Sequence, residues 1–422
     1  MFGLLRNIKH KTFASLSVHN YRLYFFGQSI SVCGTWMQTV ALGWLVLQMT
    51  GSGAQLGTVV ALQFLPLLLL GPFGGLIADR FDKRTVLIHT QSAFGIQALL
   101  LGILVFTGAA QIWMLYVLAL CYGMVRVVDD PSRHTFVSEM VDSGHIKNAV
   151  SLNSMVNNLA RAIGPTIGGA LIAGAGIAFC FVFNSALRLA VIGMLLLMRK
   201  SELHNQHSGP RKSADLIEGF RYVMATPIIR DTLFMMAIVG IFAYEWQVSL
   251  PLLARNTFHG DASSYALLMT SFGVGAVLGG LTAASRHTIV PRHVIGYMFL
   301  FAFSLIGVAF VPTLHIAMLG ILVVGFFSIN LTSLANTMIQ LESVHEMRGR
   351  VMALWTTAMV GSTTIGGPII GLVGEHLGAR WGFIVGGVAA LIAGTFAALP
   401  LLQERRLLAV TEENADSEIE SI

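Results

Sequence analysis

The sequence predicts an all-α polytopic membrane protein, with about twelve transmembrane helices arranged as two pseudo-symmetric six-helix bundles. Three observations predict it: 55% of the 422 residues are hydrophobic and 11% charged, twelve apolar runs alternate with short polar loops, and sequence strings recur between the halves. An ordinary soluble domain is roughly a quarter charged. A bilayer core of about 30 Å takes roughly 20 apolar residues per spanning helix, so this length supplies about a dozen spans and little extramembrane mass.

The runs fall at residues 23–47, 55–78, 85–107, 112–130, 149–173 and 177–198, and again at 230–252, 262–284, 294–312, 315–338, 351–373 and 381–402. The expected organisation is therefore a cytoplasmic N-terminus (1–22), an N-terminal bundle (23–198), a cytoplasmic central loop (199–229), a C-terminal bundle (230–402) and a tail (403–422). The first run follows Arg6, Lys9, Lys11 and Arg22, as a secretory signal would. It is too long for one and has no small-residue cleavage pattern, so it reads as a retained first helix. In the central loop Leu216, Ile217, Phe220, Val223 and Met224 recur at helical spacing among charged neighbours, the pattern of a helix lying on the membrane surface. The tail carries Glu412, Glu413, Asp416, Glu418 and Glu420 and reads as disordered.

Loops that stay in the cytoplasm carry the excess of Lys and Arg. With the N-terminus inside, 22 of the 26 basic residues fall on the cytoplasmic side; Arg255 and Arg380 fall outside, and Arg161 and Arg188 fall within helices. Shifting the register by one span reverses the asymmetry, so both termini are expected in the cytoplasm of a multi-pass inner-membrane protein. A net charge of +5 suits a nucleic-acid partner only when Lys and Arg cluster on one soluble face, and here they scatter through loops. Cys33, Cys121 and Cys180 lie isolated in apolar runs and read as small hydrophobes. No metal or cofactor spacing occurs, and the phosphate loop, HExxH and GxSxG strings of enzymes are absent. The expected partners are a small-molecule substrate, protons and the bilayer, with the chain acting as a monomer.

Ile163-Gly164-Pro165-Thr166-Ile167-Gly168-Gly169 in the fifth run matches Gly366-Gly367-Pro368-Ile369-Ile370-Gly371 in the eleventh, and Gly74-Gly75-Leu76-Ile77-Ala78 matches Gly279-Gly280-Leu281-Thr282-Ala283. Both pairs sit at nearly one offset, as duplicated six-helix units require. After the second run the chain reads Gly75-Leu76-Ile77-Ala78-Asp79-Arg80-Phe81-Asp82-Lys83-Arg84. This resembles the signature loop of the major facilitator superfamily, which implies that fold and a gating latch formed by Gly75, Asp79, Arg80, Lys83 and Arg84. Asp82 stands where the family usually has glycine, and in the repeat the acid position falls on Ala284. Gly164, Pro165, Gly168 and Gly169 are similar to the helix motif of the antiporter, or exporter, branches. Asp129-Asp130-Pro131-Ser132-Arg133, Phe136-Val137-Ser138-Glu139-Met140-Val141 and Asn20-Tyr21-Arg22-Leu23 resemble the siderophore-exporter-like and macrolide-efflux-like branch. The resemblance implies a secondary transporter exporting small organic molecules by alternating access and proton antiport. Import or uniport of a metabolite or lysolipid, and a receptor or scaffold without transport, stay open as alternatives.

Charges inside spanning helices are costly and mark function by default. Glu245 is the one carboxylate well inside an apolar run, and it either carries a coupled proton or stays solvated near the outer interface. Asp129 and Asp130 are the other proton-coupling candidates. They share a face of the fourth run with Arg126, as a static ion network or as ions that exchange partners with Asp79 or Arg161. Arg161 shares a face with Asn153 and Asn157, and Gln28, Ser31, Thr35 and Gln38 form a polar stripe on the first run. Such stripes line a cavity or a tight helix contact. The cavity candidates are Trp36, Gln38, Arg126, Asn157, Arg161 and Tyr244, with Trp36, Trp44, Tyr244 and Trp246 as flat surfaces for cargo or as interfacial anchors. Arg188 and Asn184 read as snorkelling or structural.

Overall fold

The computed structural model describes residues 13–142, 144–203, 216–286 and 290–398. Helices α1 (His19–Thr50), α2 (Gly53–Arg80), α3 (Lys83–Phe106), α4 (Ile112–Met140), α5 (Ile146–Ala175) and α6 (Ile177–Leu196) form the first half. A short α7 (Leu216–Ala225) leads into α8 (Pro227–Ala243), α9 (Trp246–Leu252), α10 (Ala262–Ala284), α11 (Pro291–Ala309), α12 (Leu314–Glu342), α13 (Arg348–His376) and α14 (Ala379–Ala398). Among the described residues eleven helical segments are long and apolar enough to cross a membrane, with α8, α9 and the π-helical turn Leu253–Thr257 forming one of them. The twelfth long helix is α5, 30 residues rich in Asn and carrying Lys147 and Arg161, so its composition is the least lipid-like. It is shielded by α1 and α10, which pack along it.

Local chemistry sets the helix ends. Ser52 Oγ accepts from the Gln55 amide at 3.2 Å to start α2, and Asp82 Oδ1 accepts from the Thr85 amide at 2.7 Å to start α3. Asp82 has φ −56°, so the turn needs no glycine there, and its carboxylate caps the helix instead. Gly176 alone joins α5 to α6, with a φ of 87° that a side chain would disfavour. The helices overrun the apolar runs because their polar ends project beyond hydrocarbon: α1 starts at His19 and α8 at Pro227. α7 docks on the start of α13, with Arg350 Nη1 2.7 Å from a Glu218 carboxylate oxygen and the Tyr222 hydroxyl accepting from the Val344 amide at 3.2 Å. Arg6, Lys9, Lys11, Arg211, Lys212 and the acidic tail lie outside the described residues.

The duplication read from the sequence is visible in the packing. α2 packs on α4 as α10 packs on α12, and α1 packs on α5 as α8 packs on α13. The halves meet along two seams, α2 with α13 and α5 with α10. In the first, a Cβ on Gly57 would collide with the Gly367 carbonyl, and one on Gly371 with the Gly53 carbonyl. Glu375 closes this seam by accepting from Ser52 Oγ at 2.5 Å and from the Ala54 amide at 3.0 Å. In the second, a Cβ on Gly273 would lie 2.7 Å from the Ala162 Cα, and the Thr166 and Thr270 hydroxyls are 2.7 Å apart. Both seams run from mid-helix to the end of the molecule opposite the chain termini. Towards the terminal end α2 departs from its partner, and a Cβ on Gly71 or Gly75 would meet nothing within 4 Å. Large apolar side chains on the periphery, such as Phe106, Leu189, Phe303 and Phe396, are exposed, as lipid-facing residues are.

Replacing Gly57 by Val overpacks the first seam and is expected to lower stability by about 1–3 kcal/mol. Gly71→Val, placed in open space, leaves it unchanged. Thermal unfolding of the two variants in the same detergent, followed by intrinsic fluorescence, measures the contrast.

A charged cavity between the two halves

With the seams shut at one end, the open end admits a cavity of about 420 Å³. Its wall comes from α1, α2, α3, α4, α5 and α6, with Gln247 of α9 as the contribution of the second half. Of the residues expected there, Trp36, Arg126, Asn157 and Arg161 line it, as do Asp129 and Asp130. Gln38 does not. Its Nε2 donates to Gln97 Oε1 at 2.8 Å and its Oε1 accepts from Asn184 Nδ2 at 2.5 Å, so it ties α1 to α3 and α6 inside the bundle.

α4 continues through Pro131, which brings Arg133 onto the cavity wall one turn after Asp129. Asp129 is buried and pairs with Arg133, while Thr90 Oγ1 and Gln91 Nε2 donate to its Oδ1 at 2.6 and 3.2 Å. Arg133 Nη1 also donates to Gln28 Oε1 at 2.7 Å. Arg126 pairs with Asp130 at 2.9 Å and sits 5.0 Å from the Phe64 ring centroid. The two acids thus take different arginines. Sequence spacing allowed Arg126 to pair with either of them, and the i,i+4 spacing of Asp129 and Arg133 was the overlooked signal.

Arg188 does not snorkel. It is 1% exposed, lines the cavity, and donates to Ser31 Oγ, Gln91 Oε1 and Thr35 Oγ1 at 2.5, 2.8 and 2.9 Å. The polar stripe of α1 therefore solvates a guanidinium from α6. Arg161 lies 5.3 Å from the Trp36 ring centroid.

A smaller cavity of about 70 Å³ lies beyond Trp36, Phe64 and Gln247, which border both spaces. Tyr244 and Glu245 line it. Glu245 is not inside a continuous helix: α8 ends at Ala243 and α9 begins at Trp246, leaving the acid at the break. It is 2% exposed, faces the Gly366–Gly367 backbone of α13, hydrogen bonds Thr363, and has an Oε1 without a hydrogen-bond partner. Burial at this depth also removes the solvated-interface alternative for this conformation. The Tyr244 hydroxyl reaches the Ser328 carbonyl at 3.2 Å and Thr332 Oγ1 at 2.8 Å, and Trp246 stacks 4.6 Å from Phe272.

The signature loop works within the first half. Lys83 pairs with Glu139 of α4, and Arg84 Nε and Nη2 donate to the Leu195 and Leu196 carbonyls at 2.7 and 2.9 Å, capping α6. A Cβ on Gly75 would meet nothing within 4 Å, Arg80 is exposed, and the side chain of Asp79 lies outside the described residues. Gly164 and Gly168 admit α1 at Cys33 and Met37, Pro165 is buried beside them, and Gly169 meets Ala266 across the second seam.

A family profile described as transmembrane secretion effector, of the major facilitator type, matches residues 10–418. The chain belongs to that family. The transporter is 25% identical over 389 residues to the enterobactin exporter EntS of Escherichia coli, covering 92% of each chain. It is 26% identical over 311 residues to the staphyloferrin A transporter of Staphylococcus aureus, covering 72% of this chain and 77% of that one. A solved bacterial homologue of the human lysosomal transporter Spinster superposes with a TM-score of 0.74 at 16% identity, covering 91% of this chain and 98% of that one. The transporter is accordingly a multi-pass inner-membrane protein that moves small molecules and is not an enzyme.

Removing one member of a buried ion pair strands the other at a cost of about 3–5 kcal/mol. Asp129→Asn is therefore expected to destabilise the transporter on that scale, and Asp129→Asn with Arg133→Gln to recover at least half of the loss. A double-mutant cycle on thermal stability checks both.

Proposed function

We propose that this protein exports siderophore-like small organic molecules by alternating access, driven by proton antiport. The large cavity, walled by the first half with Gln247 from the second and shut along glycine-lined seams at one end, carries the reading. The positive-inside distribution puts the terminal end, with both termini, in the cytoplasm. The conformation is then inward-open, with cargo entering from the cytoplasm and leaving when the α2–α13 and α5–α10 seams part. The relative named as an enterobactin exporter supports the cargo class and direction, and the staphyloferrin A transporter supports the cargo class. A single chain encloses the whole cavity, so a monomer suffices, and the six-plus-six division at residues 199–229 supplies the two rocking bodies.

Glu245 is the proton carrier in this reading. It is buried without a cationic partner among the described residues, so ionising it while the outer seam is shut would leave an uncompensated charge in low dielectric. It faces the α13 glycines that form that seam, so parting the helices admits water to the carboxylate and links its protonation to the state of the gate. Asp129 and Asp130 are already paired with arginines, and in this reading they hold the cavity wall.

Purified protein in proteoliposomes, supplied with iron-free enterobactin and an imposed pH gradient, tests the reading. Gradient-dependent flux is expected in the wild type, with a loss of at least about tenfold in Glu245→Gln, equivalent to roughly 1.4 kcal/mol of lost coupling. Flux indifferent to the gradient, or retained in Glu245→Gln, contradicts proton antiport through this residue.

A further inference from the structure

The cavity contains four arginines and two aspartates. Asp129 and Asp130 are taken by Arg133 and Arg126, which leaves Arg161 and Arg188 with no carboxylate partner. Arg188 is 1% exposed, its three hydrogen-bond acceptors are neutral hydroxyl and amide oxygens, and its Nε has no partner. Arg161 makes no hydrogen bond or ion pair among the described residues, and its buried Nε is likewise unpartnered. Glu245 lies in the neighbouring cavity beyond Trp36 and bonds Thr363. Two guanidiniums without a carboxylate partner among the described residues are costly inside a membrane, and only neutral oxygens and aromatic faces offset them in this conformation.

The geometry points to a cargo that supplies the missing charge: an organic anion with at least two acidic oxygens and a flat conjugated portion, held by Arg161 and Arg188. This rests on the reading of the cavity as the cargo site. Each guanidinium is stacked on an aromatic face, Arg161 at 5.3 Å from the Trp36 centroid and Arg188 at 5.2 Å from that of Phe94. Stacking uses the face of the guanidinium: Arg161 keeps its edge donors for a carboxylate or phenolate, which the planar fork matches two bonds at a time, and Arg188 keeps those that Ser31, Gln91 and Thr35 leave. Trp36, half-buried on the cavity wall, offers a surface for the planar part of the cargo. Cationic cargo is disfavoured, because the wall carries two positive charges more than negative ones.

Full-length protein in nanodiscs is titrated with two related dyes, carboxyfluorescein as the aromatic polyanion and rhodamine 123 as the cation, with binding read by fluorescence anisotropy. Carboxyfluorescein is expected to bind in preference, to weaken with added salt, and to weaken at least about tenfold in Arg161→Gln and in Arg188→Gln. Arg161→Lys is expected to retain binding between these limits, because the charge persists without the fork. Arg188 also ties helices together, so Arg161→Gln, whose side chain makes no hydrogen bond to another element among the described residues, is the decisive variant if Arg188→Gln unfolds. Preference for rhodamine 123, failure of the wild type to bind carboxyfluorescein at millimolar concentration, or unchanged affinity in Arg161→Gln overturns the inference. Because binding is read without transport, flux failure with anion binding intact sinks the export reading alone.

Discussion

The structure depends on how closely two pairs of helices approach. Without a hydrophobic driving force between helices in lipid, association relies on dispersion contact and buried hydrogen bonds, and both require small residues at the seam. Gly53 and Gly57 lie on Gly371 and Gly367, while Gly273 lies on the α5 backbone at Ala162. Such seams are strong when shut and cost little to rehydrate when parted, since they bury few side chains. The glycine-proline strings of the repeats sit at these places, but they do different work: Gly164 and Gly168 fasten α5 to α1 within one half, whereas Gly367 and Gly371 join the halves. Duplicated sequence has yielded one internal fastening and one gate.

The second constraint is electrostatic. Arg126, Asp129, Asp130, Arg133, Arg161, Arg188 and Glu245 each line a cavity. The solution is uneven. Asp129 with Arg133 and Arg126 with Asp130 are paired, Gln91 bridges Asp129 to Arg188, and the α1 stripe supplies neutral acceptors. Glu245 sits on the other side of Trp36, separated from all of them. The partition sets an acid beside the α2–α13 seam and a positive surface in the larger cavity, so in the proposed function the proton site and the cargo site are neighbours divided by a shared wall of Trp36, Phe64 and Gln247.

The spans were legible because a bilayer imposes a length and a composition that no packing detail can override. The helix-broken seventh span was not. Tyr244, Glu245 and Trp246 sit in an apolar run with no glycine or proline at the break, and only the packing of α8 against α13 and of α9 near α1 shows why the backbone turns there. Arg188, read as snorkelling or structural, is structural: its position is set by Ser31, Thr35 and Gln91 on two other helices, which its distance along the run could not reveal. Gln38 failed in the opposite direction, since a polar stripe on one helix does not say which of its residues meet another helix and which meet water. Glycine motifs, by contrast, were legible as close contacts, although not which half they contact.

The account stands or falls on the need to part these seams. Thr166 and Thr270, whose hydroxyls meet at 2.7 Å across α5 and α10, mark the place to test it. With both replaced by cysteine in an otherwise cysteine-free chain, oxidation is predicted to stop cargo flux in proteoliposomes, and reduction to restore it. Undiminished flux through the quantitatively cross-linked protein would contradict the account.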